Sequence, residues 1–216
     1  MILQMPPSQK IIYPDDDGQP MSNNTEQFDW IVMIKENLEC LFANDANVFV
    51  AGDLLWYPIE GDNTTRTAPD AMVVIGRPKG RRGSYMQWVE DGIAPQVVFE
   101  ILSPGNRASE MAKKFKFYER YGVEEYYLYD PTRIDLTGWQ RIGNELDVIE
   151  AIDDWISPRL GIRFDMSGQQ LELYFPDGRK FTSLKDASEQ LQLEKQRADR
   201  LAQRLRELGI EDEVEN

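Results

Sequence analysis

Three polar side chains stand where the sequence pattern calls for apolar ones. Asp70 follows Pro69 and opens the otherwise apolar run AMVVI at 71–75. Glu100 stands inside QVVFEIL at 96–102, a run apolar on both faces and closed by Ser103-Pro104-Gly105-Asn106. Lys114 falls within a stripe of Met111, Phe115, Tyr118 and Tyr121, spaced by three and four, whereas Lys113, Lys116 and Arg120 take the opposite helical face. A carboxylate buried without a partner is costly and tends to protonate, so Glu100 calls for a cation, a hydrogen-bond network or a metal. Paired acids hold Mg2+ or Mn2+ through hard oxygen donors, with water completing the octahedron. A lysine beside them positions a water or stabilises negative charge on a phosphate. This is the equipment of metal-assisted phosphodiester hydrolysis. Taken one at a time, the same residues have a plainer explanation: a buried Lys–Glu pair, or a lysine that snorkels outward along the aromatic stripe.

Composition leaves little other chemistry. The 216 residues include no histidine and one cysteine, Cys40. Ser-His-Asp triads, imidazole general bases and histidine-ligated zinc or iron are thereby excluded, as are structural zinc and a disulfide framework. Carboxylates, lysines, hydroxyls and a hard metal ion remain.

The elements that must position these residues follow from periodicity. Gln27, Trp30, Ile31, Ile34, Leu38 and Leu41 share one face of a helix expected from 25 to about 43, capped by Asn24 or Thr25. NVFVAGDLLWY at 47–57 predicts a strand, with Gly52 marking a bulge or a close backbone approach. Residues 70–75 predict a short strand, and 96–102 a central one buried on both faces. A helix at 109–121, stopped by Gly122, leads to a strand at EYYLYD, 125–130. This strand–helix–strand order predicts a right-handed parallel crossover. Stretches 138–150 and 170–181 predict hairpin strands, the second turning at Pro176-Asp177-Gly178. The expected fold class is α/β (α+β), a central mixed β-sheet flanked by helices. Its domain spans 25–182, after an irregular segment at 1–24.

Residues 183–216 predict a C-terminal amphipathic helix and an acidic tail. Leu184, Leu191, Ala198 and Leu205 repeat by seven; Ala187, Leu201 and Leu208 follow three positions later, and Glu194 interrupts that second row. This coiled-coil character is equally consistent with a homodimer and with packing back on the same chain.

The net charge is −14, from 24 Lys+Arg against 38 Asp+Glu. The acidity is uneven: residues 71–130 carry 9 basic and 8 acidic side chains, and residues 1–70 carry 3 and 12. Within the neutral stretch Arg77, Lys79, Arg81 and Arg82 form a basic loop, either a solvated turn or a contact for DNA phosphates. No run approaches the ~20 apolar residues of a membrane helix, and the N-terminus lacks a signal peptide's apolar stretch. No membrane role is expected, and the location is expected to be cytoplasmic.

The run Pro69-Asp70, then PQVVFEILSP at 95–104, Lys114 with Tyr118, and GVEEYYLYDP at 122–131 together resemble the Uma2 (DUF820-like) family. These are restriction-endonuclease-like proteins, abundant in cyanobacteria, of the PD-(D/E)xK nuclease superfamily. The resemblance spans roughly residues 25–150 and implies a restriction-endonuclease-like core with divalent-metal-dependent DNA cleavage. It makes Asp70 the first acid and Glu100 the second. The superfamily's lysine two residues beyond the second acid is absent, since position 102 is leucine. Uma2-like proteins take it from the following helix, where Lys114 matches. Gln27 stands near the point where many relatives carry a first-helix histidine, and Glu36 falls on the predicted solvent face.

The leading expectation is therefore a Mg2+- or Mn2+-dependent DNA endonuclease. Asp70, Glu100 and the backbone carbonyl of Ile101 bind the metal, Asp53 is either a second-tier ligand or simply a polar residue beside the bulge, and Lys114 orients the attacking water. Two alternatives accompany it: a catalytically inactive nuclease-fold protein that binds nucleic acid or a partner and dimerises through its C-terminal helix, and a metal-dependent hydrolase of another phosphoester.

Overall fold

Asn24 starts the first helix, α1 (Thr25–Leu41), by accepting the Gln27 N–H on its side-chain oxygen at 2.7 Å. The structure, a computed structural model, describes residues 11–208 except 17, 19 and 23. Ile31, Ile34 and Leu38 line the buried face of α1. At about 1.5–3 kcal/mol for each fully buried aliphatic side chain, that face anchors the helix against the sheet.

The strands follow in chain order: β1 (Val48–Ala51), β2 (Trp56–Tyr57), β3 (Ala71–Ile75), β4 (Tyr85–Met86) and β5 (Val97–Ile101). After helix α2 (Ala108–Tyr121) come β6 (Glu125–Asp130), β7 (Asp135–Ile142), β8 (Glu145–Val148), β9 (Arg163–Asp165) and β10 (Glu172–Tyr174). Six of them form the main sheet in the order β1-β3-β5-β6-β7-β8. Its one parallel pair, β5 with β6, is joined by α2, so the expected crossover and mixed sheet are present.

Side-chain alternation divides the core. Val97, Phe99 and Ile101 of β5 join Ile31, Ile34 and Leu38 of α1, together with Phe164 and Leu173 from the β9–β10 hairpin. Val98 points the other way, with Met72, Val74, Tyr126, Trp56 and Tyr118. The period of two places Glu100 on this second face, toward α2.

Helix α2 ends as the sequence requires, with Gly122 left-handed at φ 96° and its N–H on the Tyr118 carbonyl. Arg141 of β7 adds a second stop. Its Nη2 donates to the Glu119 carbonyl at 2.5 Å and its Nε to the Val123 carbonyl at 2.7 Å. Cationic donors at the negative end of a helix are favourable.

Some expectations need correction. The single strand at 47–57 is two, β1 in the main sheet and β2 paired with β4. The break follows from Asp53, at φ 48°, and from Gly52, where an added Cβ would lie 3.2 Å from the Asp70 carbonyl oxygen. The 170–181 segment is no simple hairpin: β10 pairs with β9, a strand that the sequence pattern does not reveal. An isolated Tyr174–Lys180 bridge closes the turn at Pro176-Asp177-Gly178. The first hairpin begins earlier than expected, at Asp135, and turns at Gly143-Asn144.

Among the described residues, those through Phe181 form one compact unit and those from Thr182 a second. In the first, residues 11–16 carry no helix or strand, yet they are tied down: Tyr13 packs edge-on against Tyr57, whose hydroxyl donates to the Pro14 carbonyl at 2.8 Å. The second contains α3 (Leu184–Glu207), 24 residues capped by Ser183, with none buried. The expected acidic tail from 209 onward lies outside the described residues. No helix among the described residues is long and apolar enough to cross a membrane.

Candidate active site

Asp70 sits just before β3. The antiparallel register of β3 with β5 runs Val73↔Val97, Met72↔Val98, Ala71↔Phe99. One further step sets Asp70 opposite Glu100, and residues opposite each other in an antiparallel pair present their side chains on one face. Both are buried, at 7% and 2% exposure. Asp70 Oδ2 accepts the Ile101 N–H at 2.7 Å. The Asp53 N–H donates to the Pro69 carbonyl at 3.0 Å, fixing the turn beside it.

Helix α2 supplies the cation. Lys114 Nζ donates to Glu100 Oε2 at 2.7 Å, and the Tyr118 hydroxyl, one turn later, donates to Oε1 of the same carboxylate. Lys114 thus points at the sheet, as its place in the stripe requires, and Lys113 and Lys116 are exposed. From α1, Gln27 Nε2 donates to the Ile101 carbonyl at 2.8 Å. Asp70, Glu100, Lys114, Gln27, Asp53 and Ile101 all line one cleft of about 510 Å³.

Charge in this cleft is unbalanced. Burial, then repulsion from Glu100, pushes the Asp70 carboxyl well above the usual carboxylate range, against the attraction of Lys114. Burial works against the Lys114 ammonium, but Glu100 and Asp70 outweigh it and hold its pKa above the ordinary lysine value. Burial first, then the Glu100 charge, raises the Tyr118 phenol, so it stays a neutral donor.

Among the described residues no three or more His, Cys, Asp or Glu side chains form a metal cluster. The donor set is two carboxylates and one carbonyl, all oxygen, and a carbonyl that already accepts one hydrogen bond keeps a second lone pair. Such a set suits a hard divalent ion that retains several waters. A dication there would offset the repulsion that raises Asp70.

The basic loop lies elsewhere. Arg77 and Arg82 both engage Glu90, through Nε at 2.8 and 2.7 Å, and Arg77 also meets Asp91. Lys79 Nζ is 3.9 Å from Glu39. Arg82 further stacks over the Phe49 ring at 3.9 Å. Arg81 is exposed. None of the four lines the cleft. Glu36 is half-buried and pairs with Lys35 at 2.9 Å.

Sequence reasoning missed Arg66, Asn106 and Glu110, which do line the cleft. Glu110 had a signal, standing four residues before Lys114 on the same helix. Arg66 had none beyond its closeness to Pro69-Asp70.

A family model, Uma2, described as "Putative restriction endonuclease", matches residues 2–167, and the chain belongs to that family. Among solved structures it is similar to one described as a putative nuclease belonging to DUF820 from Anabaena variabilis ATCC 29413. The two share 18% identity over 62% of this chain and 72% of that one, with a TM-score of 0.46. No curated protein matches.

Proposed function

We propose that this Uma2 protein is a divalent-metal-dependent DNA endonuclease that hydrolyses phosphodiester bonds at the Asp70–Glu100–Lys114 cleft. The observation that carries the reading is the convergence of two buried acids, one just before β3 and one on β5, with one lysine from the crossover helix, Lys114 Nζ being 2.7 Å from Glu100. An Mg2+ or Mn2+ ion would be held by Asp70, Glu100 and the Ile101 carbonyl, with Asp53 nearby, and would supply Lewis acidity and a more acidic water. Lys114, held by Glu100, orients the attacking water and faces the charge that develops on the phosphate. Tyr118 fixes the Glu100 carboxylate from its other oxygen. Gln27 holds the Ile101 carbonyl in place. Of the basic loop, exposed Arg81 is the remaining candidate for a DNA contact, since its three neighbours are ion-paired.

Supercoiled DNA incubated with the protein and Mg2+ or Mn2+ tests this. Nicking is expected, and its loss in Asp70→Ala and in Glu100→Ala. Absence of nicking by the wild type, or nicking that survives both substitutions, overturns it. A parallel panel of RNA and small phosphoesters separates DNA from other phosphoester substrates.

A second reading, of an inactive nuclease-fold protein that acts through association, is favoured by one feature. Helix α3 would extend about 36 Å at 1.5 Å per residue, and it exposes Leu184, Leu191 and Leu201 along its heptad rows. Both readings are compatible with a homodimer formed through α3. Light scattering on the full chain and on Leu191→Glu/Leu201→Glu tests it: a dimeric wild type and a monomeric variant support the dimer, and a monomeric wild type removes it.

A further inference from the structure

Three of the four cations in loop 77–83 are paired with Glu90, Asp91 and Glu39, and none of the four, exposed Arg81 included, lines the cleft, so the charge that meets a phosphodiester inside it comes from elsewhere. Two cationic side chains line the cleft, Lys114 and Arg66. Lys114 is committed to Glu100. Arg66 differs: although Asp53, Asp70, Glu100 and Glu110 line the same cleft, Arg66 forms no ion pair with any carboxylate among the described residues. Instead its Nη1 donates to the Tyr57 hydroxyl at 3.1 Å and, more weakly, to the Asn63 carbonyl at 3.4 Å. Its guanidinium lies 5.9 Å from the Tyr57 ring centroid.

That support is rigid. Tyr57 is fully buried and its hydroxyl donates to the Pro14 carbonyl at 2.8 Å. The residue after Arg66, Thr67, is bridged to buried Trp56, whose N–H donates to the Thr67 carbonyl at 2.8 Å. Arg66 therefore sits on a fixed backbone four residues before Asp70. One nitrogen is used for orientation, and Nε and Nη2 have no protein acceptor among the described residues. A planar fork of donors in that state matches the two non-bridging oxygens of a phosphate.

We infer that Arg66 is the phosphate-binding residue of the cleft, holding the phosphodiester of a nucleic-acid substrate beside the two acids. This rests on the endonuclease reading of the same site and names the residue that binds its substrate. Arg66 contributes to substrate affinity and leaves the metal site alone, because Asp70, Glu100 and Ile101 do not depend on it.

The test is binding of a fluorescein-labelled 12-base-pair duplex in Ca2+ by anisotropy at low salt, together with Mg2+ titration calorimetry and plasmid nicking. The proteins are wild type, Arg66→Ala, Arg66→Lys and Lys116→Ala, the last a charge-matched control on the exposed face of α2. Expected are a loss of about 10-fold or more in duplex affinity for Arg66→Ala, partial retention for Arg66→Lys, wild-type affinity for Lys116→Ala, and unchanged Mg2+ binding throughout. Equal affinity of wild type and Arg66→Ala overturns the assignment, as does an equal loss in Lys116→Ala or a wild type that does not bind. If Arg66→Ala fails to fold by thermal melt, Arg66→Lys decides: full wild-type affinity there overturns the forked contact. Duplex binding that depends on Arg66 without any nicking leaves the phosphate site standing and sinks the endonuclease reading alone.

Discussion

The Lys114 ammonium lies 2.7 Å from Glu100 Oε2, bringing a helix and the central strand together through one charge pair. Glu100 is 2% exposed, so the pair is held against desolvation by geometry, with the Tyr118 hydroxyl on the other oxygen. Removing one partner of such a pair leaves a buried charge uncompensated, which costs about 3–5 kcal/mol. Lys114→Met is expected to approach the lower end, because Tyr118 remains. Adding Glu100→Gln should recover at least about 1 kcal/mol. Urea denaturation of both singles and the double checks this; additive losses would show that the contact is not energetically coupled.

The raised Asp70 carboxyl has a sign that can be read in stability. Its folded pKa lies above the unfolded value, so the native state keeps a proton that the unfolded chain releases. Stability is therefore lost as pH climbs from the ordinary aspartate range, about 3.9, toward the folded value. Asp70→Asn removes that loss and can still accept the Ile101 N–H. The metal-free variant should melt above wild type at neutral pH, by roughly 2–4 °C per kcal/mol gained, and the gap should close in acid. Thermal melts across pH 4–8 in chelator test it, and a gap independent of pH would contradict the assigned cause. Mg2+ should raise the wild-type melting temperature and leave the variant unmoved.

Gly52 governs the approach of the Asp53 turn to the first acid. An alanine Cβ there would lie 3.2 Å from the Asp70 carbonyl oxygen and 3.4 Å from Lys35 Cγ. The lysine can move, but the Asp70 backbone is pinned by the Asp53 N–H bond to Pro69. Gly52→Ala should cost about 1–3 kcal/mol as an overpacked contact and weaken Mg2+ binding by displacing Asp70. Calorimetry showing native affinity would mean that the strand absorbs the methyl group without moving the acid.

Arg141 closes the C-terminal end of α2 with donors to Tyr118, Glu119 and Val123 carbonyls, and a further one to Asn144. A lysine keeps the charge but not the fork. Arg141→Lys should destabilise by about 1–3 kcal/mol, and amide exchange at the end of α2 should speed up. Unchanged exchange there would remove Arg141 from the cap.

Part of the site was legible because its signals are local. Periodicity of 3.6 turned Lys114 inward and Lys113 and Lys116 outward, and the apolar run around Glu100 marked its burial. Gly122 and Asn24 are caps whose chemistry is complete within a few residues. The 47–57 segment misled because an apolar composition says nothing of a left-handed Asp53, and β9 escaped because three residues carry too little pattern. The loop 77–83 was legible only in part, for another reason. Charges were visible, but their partners at Glu39, Glu90 and Asp91 depend on how distant turns fold together.

By itself the sequence determined the chemistry available: no histidine, one cysteine, two acids and a lysine out of place, and the strand–helix–strand order that carries two of those three. Tertiary structure decided what they meet. It set Asp70 opposite Glu100 through an antiparallel register, gave Tyr118 and Gln27 to the same site, and left Arg66 in the cleft while pairing most of the basic loop with acids. Periodicity fixes which way a side chain points within its own element. Which charges end up within a few ångströms is set by strand register and loop closure, which join residues far apart in the chain and leave no local pattern.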